Sequence, residues 1–150
     1  MQLTRKVETQ IVHAPVAAGS ADVTDCDVID MQNFEGCRFI VGFGTITSGA
    51  ATSVKVQQAT AKTSDTALTS GADLEGSGIT VADTDDNKAV IIDIFKPRER
   101  YLQLRILRAT QNAVVDFAVA EKYGARKLPV TKHADIATQE IHISPAEGTA

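Results

Sequence analysis

Asp83-Thr-Asp85-Asp86-Asn87 is the stretch of this chain that comes closest to a chemical motif, because oxygen ligands at alternate positions are what a hard cation such as calcium takes. The rest of a calcium-binding loop is missing. Lys88 stands where such a loop needs its glycine, and Ile94 where it needs a bidentate glutamate. The run therefore reads as a solvated turn whose Asp and Asn oxygens hold local backbone donors. The three histidines, His13, His133 and His142, lie far apart and outside any His-Glu-x-x-His or Cys-x-x-Cys spacing. No metal is expected.

Nucleophilic and phosphate chemistry are equally unprovided for. There is no Gly-x-Ser-x-Gly elbow, no phosphate-cradling Gly-x-x-x-x-Gly-Lys-Ser/Thr, and the Gly42-Phe-Gly44 pair sits inside an apolar strand rather than between strand and helix. Cys26 and Cys37 are too few for a disulfide scaffold and read as small buried thiols. The chain is accordingly expected to have no catalytic residues and no cofactor, and not to be an enzyme. Its chemistry should lie on surfaces.

The charged residues suggest where. Asp22, Asp25, Asp27 and Asp30 crowd one segment and Asp83, Asp85 and Asp86 another, whereas Lys96, Arg98, Arg100, Arg105 and Arg108 fall close together. Complementary patches on one chain suit self-association or docking on a charged lattice. Lys96, Arg98 and Arg100 surround Pro97 in a connection; Arg105 points outward from a strand, where a guanidinium can clamp a neighbour's carboxylate with two hydrogen bonds. Candidate interface residues are Arg98, Arg100, Arg105 and Arg108, together with Ile136, Ile141 and Ile143, the large apolar side chains of the last twenty residues. A net charge of -4 argues against a direct nucleic-acid partner.

The elements that must position these groups are strands. Lys88-Ala-Val-Ile-Ile-Asp-Ile-Phe95, Tyr101-Leu-Gln-Leu-Arg-Ile-Leu107 and Asn112-Ala-Val-Val-Asp-Phe-Ala-Val-Ala120 follow one another with only short turns between them. Earlier strands are expected over 7–13, 25–31, 37–46 and 52–60, with a short one at 79–82. Residues 61–78 are small and polar and read as a long excursion with one helical turn near Asp65 to Leu68. About eight strands and almost no helical pattern predict an all-β fold, an antiparallel jelly-roll-like sandwich over residues 1–130. Residues 131–150 form a C-terminal arm or tail, in which Ile141-His-Ile143 is expected to add an edge strand, either to its own sheet or to a neighbour's. The start lacks the apolar core of a secretory signal, and no run is long enough to span a bilayer, so no membrane partner is expected.

One order of features resembles a known family. An Ala/Gly/Ser-rich lead, Phe39-Ile-Val-Gly-Phe-Gly-Thr-Ile46, Val54-Lys-Val-Gln-Gln58, a polar excursion, Phe95-Lys-Pro-Arg-Glu-Arg-Tyr-Leu102 and Arg108-Ala-Thr-Gln-Asn-Ala-Val-Val115, ending near Tyr123-Gly124, are similar to the decoration (cement) proteins of tailed-bacteriophage capsids. The resemblance implies a structural virion protein, made in the host cytoplasm. It would bind the outside of an icosahedral shell, bridge major capsid protein subunits and act as a homo-oligomer, dimer or trimer. A head-to-tail joining or tail protein, or a carbohydrate-binding module using Phe34, Tyr101 and Tyr123, are the other readings of such a sandwich.

Overall fold

A computed structural model describes residues 2–143 and 146–149. A single 3-10 turn, Leu3–Arg5, precedes twelve strands. In chain order these are β1 (Glu8–His13), β2 (Val16–Gly19), β3 (Ile29–Asp30), β4 (Gly36–Ile46), β5 (Ala51–Ala59), β6 (Ala61–Ser64), β7 (Ala67–Thr69), β8 (Ala72–Asp73), β9 (Ile79–Val81), β10 (Ala89–Phe95), β11 (Tyr101–Ala109) and β12 (Ala113–Tyr123).

Period-two patterning decides which side of each strand is inward. Cys37, Phe39, Val41 and Phe43 of β4 are all buried, as are Leu102, Leu104 and Ile106 of β11 and Val54 and Val56 of β5. These side chains meet in one core between two antiparallel sheets, which makes the fold an all-β sandwich. One sheet has the order β1-β12-β4-β10, with β2 also on β12; the other runs β3-β11-β5, with β8 and β9 both on the far side of β5. Among the eight principal strands, β1 pairs with β12, β3 with β11, β4 with β10 and β5 with β9. First thus meets last and second meets seventh, so the chain pairs as one long ribbon doubled back on itself and rolled up.

Three segments depart from their expected form, each because side chains or carbonyls find other partners. The strand expected over 25–31 survives only at Ile29–Asp30, with an isolated bridge from Val23 to Ile106. Between them Arg105 and Gln103 bond the carbonyls of Thr24 and Cys26, and the Asp27 N–H crosses to the Val12 carbonyl of the other sheet. No helical turn forms near Asp65: β6 and β7 make a hairpin there instead. Its turn carbonyls are already used, that of Asp65 by the Val28 N–H and that of Thr66 by Gln103. The small-residue run after Pro15, which lies outside the strand expected over 7–13, forms β2 and continues along β12, with a shift in register.

The C-terminal segment is tied back at its start. The Val130 N–H donates to the Arg5 carbonyl and the Gln139 side chain to that of Thr4, so the arm lies along the N-terminal turn up to Gln139. Ile141 and Ile143 stand 42% and 80% exposed and add no strand to either sheet of their own chain.

Candidate functional site

Three connections converge at one end of the sandwich. The chain between β3 and β4, the Lys96–Arg100 connection between β10 and β11, and the exit from β12 are stitched together by backbone hydrogen bonds. Lys96 N–H donates to Glu35 (2.8 Å), Met31 N–H to Arg100 (2.9 Å), Glu35 N–H to Tyr123 (3.0 Å) and Arg126 N–H to Asn33 (2.9 Å). Each connection turns through a left-handed residue: Asn33 (φ 71°), Lys96 (φ 51°) and Gly124 (φ 66°). At Gly124 a side chain is excluded twice over, since a Cβ there would also lie 2.7 Å from that of Glu35. Two non-glycine residues held in this region mark a frame that the surrounding bonds over-determine.

Within this frame lies a shallow cleft of about 610 Å³ whose walls carry Lys96, Arg98, Arg100 and Arg126 against Glu35 and Glu99. Arg100 is locked, with Nε 2.8 Å from Asp30 Oδ1, Nη2 2.7 Å from Oδ2, and a further bond to Gln32. That two-pronged contact holds the Asp30 carboxyl below the usual carboxylate range. Stability from Asp30 is therefore present above its ordinary range and lost as pH falls through the lowered value. Arg98 and Arg126 are exposed and make no ion pair among the described residues. The cleft presents two guanidiniums that make no ion pair among the described residues, on a fixed backbone, an arrangement able to grip carboxylates.

The other residues singled out in the sequence are placed differently. Arg105 is half-buried and spent inside the chain, its Nε on Gln57 (2.9 Å) and its Nη1 on the Thr24 carbonyl (2.6 Å), so it does not reach outward to clamp a neighbour. Arg108 is 6% exposed and belongs to no surface. Its position shares the parity of Leu102, Leu104 and Ile106, and its guanidinium bonds the carbonyls of Ala21 (2.8 Å), Ala17 (3.0 Å) and Ala113 (2.7 Å). Ile136 is half-buried in the arm, and Ile141 and Ile143 are exposed beyond it, so the tail isoleucines do not join the cleft residues through any described contact. Arg126 had no place among the expected interface residues; the basic Ala-Arg-Lys run after Gly124 was its only sign.

Acidic and aromatic groups resolve as local structure. Asp83 accepts from the Gly49 N–H (2.9 Å), Asp85 from Ala82 (3.1 Å) and Lys88 (2.7 Å), and Asp86 from Ile46 (2.5 Å). The three carboxylates face separate donors, as a turn requires. Tyr101 lies under Arg100, Phe34 under Lys122, and the Tyr123 hydroxyl donates to Asp93 (2.6 Å) on the outer face of the other sheet.

Sequence reasoning also missed an apolar row on the outer face of the first sheet. Ile11, Val119, Ile40 and Ile91 lie side by side across β1, β12, β4 and β10. The signal was there in Val90-Ile-Ile92, where both faces of one strand are apolar. No family model matches the chain, and no curated protein is similar enough to set beside it.

Proposed function

We propose that this chain is a structural virion protein that decorates the outside of an icosahedral phage shell. In this reading it bridges subunits of the major capsid protein, and the sandwich is a jelly roll used as a rigid spacer. The observation that carries the reading is the cleft on a fixed backbone with two guanidiniums, Arg98 and Arg126, that make no ion pair among the described residues, at one end of a rolled ribbon whose acidic turn and strand arginines are satisfied internally. The resemblance to cement proteins supplies the partner. A repeating acidic surface would offer each copy carboxylates beyond the cleft's own Glu35 and Glu99, and modest contacts repeated over a lattice multiply through avidity. No catalysis is needed, and the copies act together as a homo-oligomer on the capsid exterior.

The test is sedimentation of purified protein with shells of the matching major capsid protein that lack it, counting bound copies while the shells are heated. Saturable binding at a multiple of the lattice number, with a raised disruption temperature, is expected. Reversing both charges, Arg98→Glu with Arg126→Glu, should weaken binding at least about tenfold, roughly 1.4 kcal/mol, and leave the melting temperature of the free protein unchanged. Wild-type binding should also fall with added salt. Absence of binding, or binding indifferent to the reversal, would sink the reading; copies gathered at a single vertex would transfer it to a head-to-tail joining role.

A further inference from the structure

Natural sheets blunt their edges, because unpaired N–H and C=O groups recruit other strands. Three of the edges here are blunted. β3 and β8 have two residues each and β9 three, while β1 carries a register shift between Ile11 and His13 and is followed by Pro15. β10 is the exception. It pairs with β4 over seven residues with no shift, contains neither Pro nor Gly, and bears one charge, Asp93. The Lys88 carbonyl accepts from Phe43 and the Lys96 N–H donates to Glu35, in line with that register. Even-numbered residues therefore turn toward β4. Ala89, Ile91, Asp93 and Phe95 direct their backbone groups to the open side. Ile91 and Phe95 are also 55% and 60% exposed at their side chains.

We propose that this edge is the docking site for the same strand of a second copy, joined antiparallel about a two-fold axis. Charge complementarity selects the occupant. The acidic turn Asp83, Asp85, Asp86 immediately precedes β10 and the basic connection Lys96, Arg98, Arg100 immediately follows it. Antiparallel self-pairing sets each copy's acidic turn beside the other's basic connection, twice in one dimer, which is the self-complementarity a two-fold interface demands.

Charge also selects the register. With Ile91 opposite the second copy's Ile91, Ala89 faces Asp93 and leaves room for the carboxylate already bonded to Tyr123, and Lys96 faces Asp86. Moving the axis to Ile92 would set Lys88 against Lys96, and moving it to Asp93 would set that aspartate against itself; both place like charges opposite each other. The Ile91 register closes three facing pairs, 89 with 93, 91 with 91 and 93 with 89, at two hydrogen bonds each. It also carries the Ile11-Val119-Ile40-Ile91 row unbroken from one four-stranded path into the next. The pairing sets only Lys96 directly opposite a carboxylate, and its test uses position 91 and no shells, so it does not depend on the shell-binding reading.

Sedimentation velocity of the purified chain, without shells, tests it. A concentration-dependent monomer–dimer equilibrium is expected, and Ile91→Lys should raise its dissociation constant at least about tenfold with the thermal melt unchanged. Ile91→Cys should cross-link into a covalent dimer under mild oxidation, because facing residues of a hydrogen-bonded antiparallel pair lie about 5.5 Å apart at Cα, within disulfide reach. Ile11→Cys, at the far edge, should not. A chain that stays monomeric at about 1 mM, or a dimer that survives Ile91→Lys and does not cross-link through position 91, would overturn the proposal. So would an edge whose amides become protected only when shells are added, since its occupant would then be a foreign strand.

Discussion

Arg108→Ala is expected to lower the free energy of unfolding by about 2–4 kcal/mol, although the side chain forms no ion pair among the described residues. Its guanidinium is the donor for three backbone carbonyls, on β2, on the connection after it and at the start of β12. The Arg108 N–H is in turn held by Asp22. One side chain of the second sheet thus closes an end of the first. Removing it leaves the buried Ala113 carbonyl unpaired, costing about 1–3 kcal/mol, and loses two part-buried, charge-assisted bonds to Ala17 and Ala21, whose carbonyls water can then reach. Lysine is a poor substitute, because a single ammonium on a flexible stem cannot serve three separated carbonyls that a planar fork meets at once. Urea unfolding should show the loss, and a melt should fall by roughly 10 °C for a chain of this size. Arg98→Ala, on the exposed connection, should stay within about 0.5 kcal/mol of the parent. An Arg108→Ala protein as stable as the parent would show that these carbonyls are satisfied without it.

Alkaline pH is expected to destabilise the fold steeply, through two thiols rather than through surface charge. Burial pushes both Cys26 and Cys37 from an ordinary value of 9.0 up to about 12, with Asp25 adding to the rise at Cys26. The folded chain therefore keeps its protons while the unfolded chain releases them. The stability from the protonated thiols is fully present below about pH 9 and is lost as pH rises toward 12. At about 1.4 kcal/mol per pH unit for each thiol, the two together should remove roughly 4 kcal/mol between pH 8 and pH 10.5. Urea unfolding at those two pH values measures the difference. Lys62 and Tyr123 are also shifted upward, so the comparison that isolates the thiols is with Cys26→Ala/Cys37→Ala, which should flatten most of the slope. A thiol reagent at pH 8 should label neither cysteine until urea opens the chain; labelling of the native protein would remove the basis of the prediction.

The strands that bury one face were legible, and the reason is periodicity. Phe39, Val41 and Phe43, or Leu102, Leu104 and Ile106, can reach water-free surroundings together only in an extended chain. Residues 25–31 and 61–78 were not legible in the same way. What shapes them is a set of bonds from remote side chains, Gln103 to Cys26 and Thr66, and Arg105 to Thr24, whose partners lie tens of residues away. The two strand arginines illustrate the same limit. Parity alone places Arg108 inward beside Ile106, yet a charge in a core is an unlikely inference until the three carbonyls that solvate it are seen.

The sequence by itself determined an all-β chain, its principal strand positions, its buried thiols and the clustering of basic residues around Pro97, because each follows from residue type and short spacing. Tertiary structure alone decided that Arg105 and Arg108 are internal ties, that Arg126 joins Arg98 beside Lys96, and that β10 is the long open edge. Those outcomes depend on which segments become neighbours when the ribbon is rolled, and pairing across many tens of residues leaves no local trace in the residues that make it.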